Sequence, residues 1–366
     1  MRRPAGGRAR RRRGWLGPAA AAGIGALVLV LAAGWWLTDL QASGNGSSVV
    51  IDVPPRGDSS GERGTPGAAA EETAAVSTLT GGGMARRAGE TSGAVEDTVL
   101  VPAPQPALLE EGPYGPLPKI APDGRKPWQV YQRPSDPADT RPRIAIVVTG
   151  IGLSTAASLE AIRRLPAAVT LSVDPYAAAP EKWAPRARGA GHEILLSLPL
   201  ESSDFPFRDP GPIALLTSLS AADNLDRLQQ LLSRCTGYVG VAGIFGRRFE
   251  QDEDSLPPVL EFLGRRGLMY VGGVTSAASL PPELASETEF PRVVVDVWID
   301  DETTSLGIDR ALAQLEATAR ERAVAVGVAR NSPLTIVRLA TWAASLEEKD
   351  IALVPVSAIA GRPVLP

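Results

Sequence analysis

One cysteine and one histidine, Cys235 and His192, occur in 366 residues. The lone cysteine excludes an internal disulfide and a thiolate zinc cluster, and the lone histidine excludes any site that needs two imidazoles. Basic charge is outnumbered by acid outside the extreme N-terminus. Seven arginines (Arg2, Arg3, Arg8 and Arg10 to Arg13) stand in the first 14 residues without an acid, and the net charge of −4 becomes −11 without them. So acidic a body repels phosphates, which argues against a nucleic-acid partner. No G-X-Y period runs through the 37 Gly and 33 Pro, so collagen is excluded as well.

What is present begins with an uncharged run of 25 residues, 14–38. Its part PAAAAGIGALVLVLAAGWWL has the length that a helix needs to cross a bilayer. The arginines before it and Trp35-Trp36 at its far end fit a cytoplasmic N-terminus and an interfacial aromatic anchor. A cleaved signal peptide usually has a shorter core and an A-x-A-like site, and TDLQASGNG supplies no convincing one. The expectation is a basic cytoplasmic tail (1–17) and an uncleaved signal anchor (18–38), with the remainder exported.

Residues 39–140 are rich in Gly, Ser, Pro, Ala and Glu, as in SGERGTPGAAAEE, and read as a disordered linker. Its last part adds Tyr114, Trp128 and Tyr131 among prolines and is expected to lie extended against the folded domain.

From 141 to 366 short β-like runs (IAIVV, AAVTLSV, HEILLSLPL, YVGVAGI, LMYVGGV, RVVVDVWI, AVAVGV, ALVPVS) alternate with helical patterns. Such alternation predicts an α/β domain, a distorted (β/α) barrel of about seven parallel strands with right-handed crossovers. In that architecture the chemistry sits where strands end. Most of the strand ends are small or apolar: Thr149-Gly150, Ser197, Gly243-Ile244 and Gly272-Gly273, with Arg330-Asn331 late in the chain. Only DVWIDDE supplies acid, with Asp296 and Asp300 at even spacing as candidate catalytic acid and base. The same acids would also suit an oxygen-ligated cation, and Asp301 to Thr304 would suit a helix N-cap. VTGIGLS lacks the third glycine of a dinucleotide loop and reads as a tight turn. Cys235 reads as a buried thiol.

The ordered series IAIVVTGIGLS, VTLSVDPYA, GHEILLSLPLES, DPGPIALLTSLS, GYVGVAGIFGRRF and ALVPVSAI resembles the divergent polysaccharide deacetylase family, a branch of the carbohydrate esterase barrels found as exported or membrane-anchored envelope proteins. The resemblance implies a barrel that acts on acetylated or amino-sugar glycans through a divalent metal held by carboxylate and imidazole. It also implies an Asp pair at Thr149-Gly150, a His at Ser197, an Asn-His pair at Gly243-Ile244, an acid at Gly272 and a His-Pro at Arg330-Asn331. None of those side chains is there. His192, in GHE at the start of a strand, reads as structural. Glu201, Asp204 and Arg248, in segments that match the family, are the candidate substrate-binding residues.

The expected function is a single-pass inner-membrane protein, facing the periplasm, with no metal and no cofactor: a pseudoenzyme that binds an envelope glycan or a peptidoglycan-related ligand. One alternative is an active glycan hydrolase or deacetylase with a non-standard carboxylate site. Another is a structural module that engages an envelope protein partner.

Overall fold

In the computed structural model residues 99–273 and 290–360 are described. The expected anchor, 18–38, lies outside them, as does the linker to residue 98. Among the described residues no helix is long and apolar enough to cross a membrane.

From residue 99 the chain departs from the expected linker. Strands β1 (Leu109–Gly112) and β2 (Gly115–Pro118) pair antiparallel, and α1 (Pro127–Tyr131) follows. Leu108, Leu117 and Tyr131 are buried, and each contributes about 1.5–3 kcal/mol toward offsetting the cost of ordering a proline-rich segment. The segment lies across the N-terminal ends of the barrel strands. Trp128 N donates to Gly267 O, Arg133 N to Glu193, and the Arg188 guanidinium to Tyr131 O and Val101 O.

Strand β3 (Arg143–Ile151) is the middle of a parallel sheet and is buried at eight of its nine residues, as a strand covered on both faces must be. After α2 (Thr155–Arg164), β4 (Thr170–Val173), α3 (Trp183–Gly189) and β5 (Ile194–Ser197) come α4 (Ala221–Leu232), β6 (Gly240–Ala242), α5 (Arg247–Glu250), α6 (Leu256–Arg265) and β7 (Met269–Gly272). Then follow β8 (Arg292–Val294), β9 (Val297–Trp298), α7 (Ser305–Arg322), β10 (Val324–Arg330), α8 (Pro333–Ala344) and β11 (Ala352–Val354). Strand order is β8-β7-β6-β5-β4-β3-β10-β9, with β11 beside the first half of β3 and β4 beside its second half. The two ends of that order are successive pieces of one segment: β8 pairs with β7 and β9 with β10. The curled sheet is thus consistent with a distorted barrel.

Alternate residues of the strands face different cores. Ile144, Ile146 and Val148 pack outward with helix residues such as Leu228 and Leu315, while Ala145 and Val147 pack inward with Leu195, Val271 and Val326. Helices start where hydroxyl side chains take up free backbone N–H groups: Ser154 on α2, Ser220 on α4, Thr304 on α7 and Ser332 on α8. All of these starts lie at the C-terminal ends of the strands, so one face of the barrel gathers the loops.

Candidate functional site

A cleft of about 770 Å³ opens on that face, a volume suited to a ligand of a few sugar units. Its floor is made by strand ends. An extra residue in β3 shifts the register between Val148 and Ile151, and the bulge carries Thr149 and Gly150, the latter at φ +80°, into the cleft. Gly152, at φ +98°, completes the tight turn; a β-carbon there would meet Ala177 and Trp183. Thr149 Oγ1 donates to Ala329 O at 3.2 Å, and Ser197 Oγ is bonded to Ser172 Oγ at 2.8 Å.

Asp174, just after β4, lines the cleft and accepts from Tyr176 N at 2.8 Å; burial pushes its carboxyl above the usual range. Arg330, at the end of β10, stacks over the Phe245 ring at 5.3 Å, and Phe245 packs on Trp298 at 4.9 Å. Asp300 holds Arg330 in place. Its carboxylate accepts from Arg330 N at 2.8 Å and Thr335 Oγ1 at 3.2 Å, and Arg330 Nη1 reaches Asp300 O at 3.1 Å and Oδ1 at 3.4 Å.

The expected acid and base are not brought together. Asp296 accepts from Val326 N near the start of β10 and faces Arg322, whereas Asp300 serves Arg330 at its end. Four residues of strand separate the two partners, about 13 Å.

Of the expected substrate-binding residues, Glu201 is buried, accepts from Thr217 N at 2.6 Å and Thr217 Oγ1 at 2.8 Å, and forms an ion pair with Arg248 Nε at 3.2 Å. It clamps loops behind the cleft, where its neighbours Leu200 and Ser202 are the lining residues. Asp204 is exposed in a turn, its carbonyl accepting from Arg208 N. Asp174, Tyr176, Arg208 and Phe245 line the cleft instead. The strand-end rule applied to VTLSVD would have found Asp174; the other three sit in loops, where no period points to them.

His192 and Glu193 lie at the opposite end, before β5. The imidazole nitrogens are 2.9 Å from Val169 O and 3.2 Å from Ile162 O, and burial pushes the ring below its usual pKa. Glu193 gathers Arg133 N, Thr170 Oγ1, and the amide and hydroxyl of Ser357. The GHE motif is therefore structural. Cys235 is buried, with its thiol pushed up to about 12.

The residues present do not fit the metal that the resemblance implies. A β-carbon on Gly243 would run into Tyr270 Oη and Leu200, and one on Gly272 into the Glu250 carboxylate and Tyr270. Tyr270 Oη donates to Glu250 at 2.8 Å and Gly273 N donates to it at 3.0 Å, so this buried network fills the room that two ligand side chains would need. At the last ligand position stands a guanidinium, itself a cation. Among the described residues no three His, Cys, Asp or Glu side chains come together.

Comparison with known proteins bears on the same barrel. No protein of curated function matches the chain. Among solved structures, the crystal structure of an uncharacterized protein from Agrobacterium tumefaciens C58 is 38% identical over 67% of this chain and 99% of that one, with a TM-score of 0.63. The sequence profile of the divergent polysaccharide deacetylases matches residues 146–360, from β3 to the turn after β11. With more than half of its length matched and the barrel formed over the same residues, the chain belongs to the divergent polysaccharide deacetylase family.

Proposed function

We propose that the chain is a glycan-binding member of its family that no longer performs metal-dependent deacetylation, held at the inner membrane with the barrel on the periplasmic side. The observation that carries this reading is the Tyr270–Glu250 network packed against Gly243 and Gly272, beside a cleft lined by apolar side chains and hydroxyls, with a fixed arginine and no metal-ligand set among the described residues. Such a cleft binds sugar hydroxyls without polarising an acetamide carbonyl. The anchor and the export rest on the sequence of residues 1–38.

The test is calorimetric titration of the full-length chain with amino-sugar oligosaccharides, beside an acetate-release assay with and without Zn²⁺. Saturable binding without acetate release is expected. Zn²⁺-dependent release would overturn the reading, and absence of sugar binding would leave a protein-interaction module.

Asp174 favours one second reading, an enzyme that works without the family's metal. A carboxyl that burial shifts toward its neutral form, open to a cleft, is suited to general-acid work. Metal-independent glycan cleavage that disappears in Asp174→Asn would establish it.

A further inference from the structure

We infer that the cleft selects an acidic glycan, with a sugar carboxylate seated on the outer edge of the Arg330 guanidinium. This rests on the glycan-cleft reading above and names its substrate class. Arginine offers five N–H donors in one plane. Here every side-chain hydrogen bond of Arg330 to the described residues runs through Nη1, to Asp300 O and Oδ1. Nε and Nη2 thus keep a pair of parallel donors with no partner among the described residues, on a side chain that is 42% exposed at the cleft wall. Asp300 on one side and the Phe245 ring, backed by Trp298, on the other hold the plane still, so little side-chain entropy remains to be lost when a ligand docks.

That edge matches the two oxygens of a planar carboxylate. A second arginine, Arg208 on the exposed loop after Glu201, lines the same cleft and adds positive potential. The cleft also contains Asp174 and Asp301, which a dianionic phosphate would meet unfavourably, whereas a singly charged carboxylate is tolerated. A neutral sugar would leave the guanidinium edge to water.

The full-length chain, purified in mild detergent, is titrated with uronic-acid oligosaccharides, neutral oligosaccharides of equal length and a sugar phosphate. The uronic-acid series is expected to bind on the order of tenfold more tightly than the neutral one, with the preference weakened by salt. In Arg330→Gln, and also in Arg330→Lys, which keeps the charge but not the planar pair, the preference is expected to disappear. The comparison in the unsubstituted chain needs no variant, so a variant that fails to fold does not spoil it. Equal affinity for acidic and neutral sugars overturns the inference and leaves the glycan-binding reading standing. Preference for the phosphate overturns the carboxylate assignment. Absence of binding to every sugar overturns both.

Discussion

Glu193 is fully buried and accepts four hydrogen bonds, and burial pushes its carboxyl above the ordinary range. The folded chain therefore keeps a proton that the unfolded chain releases above about pH 4.3. Its contribution is complete below that pH and is lost as pH rises through the folded value. His192 acts in the other sense. Burial lowers its pKa, so its contribution is present above about pH 6.5 and is lost as pH falls through the folded value. Glu193→Gln cannot ionise, and the stability of the native sequence relative to it, from urea unfolding, is expected to fall as pH rises from about 4. Parallel curves would refute the assignment. At the cleft, Gly272→Asp is expected to cost about 1–3 kcal/mol, because its β-carbon meets Glu250 and Tyr270, and to leave Zn²⁺ affinity unchanged. Denaturant midpoints and metal titration read both. Cys235, buried with its thiol pushed up to about 12, is expected to resist alkylation until the chain unfolds.

Among the elements, the segment 99–133 departs furthest from its sequence appearance. Pro and Gly interrupt it throughout, and its apolar anchors Leu108, Leu117 and Tyr131 follow neither a helical nor a strand period. Disorder is the natural inference from composition, yet the barrel end supplies the surface that those anchors bury against. Tyr131→Ala removes a buried ring, its hydroxyl's bond from Gln105 N and the face over which Arg188 lies. A loss of about 3–5 kcal/mol is expected in thermal or urea unfolding of the full chain. The strands and long helices, by contrast, were legible in the sequence. Buried parallel strands make continuous apolar runs such as IAIVV, and the Ser or Thr before α2, α4, α7 and α8 marks their starts. Splitting of RVVVDVWI between two neighbours was not legible, since one run of alternating residues pairs with β7 in its first half and with β10 in its second.

For the whole molecule, the proposed anchor and the cleft make one device. Under the proposed topology, tethering would hold the cleft near envelope polymers at high local concentration. Removal of residues 1–38 is expected to release the protein from the membrane fraction, and a reporter active only in the periplasm, fused after residue 366, is expected to be active. Membrane retention of the truncated chain, or a silent reporter, would contradict the proposed topology.

Composition alone determined that a two-imidazole metal site cannot be built from this chain, because one His is present wherever the fold puts it. Local pattern determined the alternation of strand and helix, because burial on both faces and helix capping act within a few residues. Which polar groups meet was decided only by the tertiary structure. Asp296 and Asp300 stand close in sequence but serve amides four residues apart on β10, while Arg330 from the end of that strand and Phe245, Asp174 and Arg208 from three separate loops share one cleft. Their meeting depends on the register and curl of the sheet, which sequence spacing does not encode.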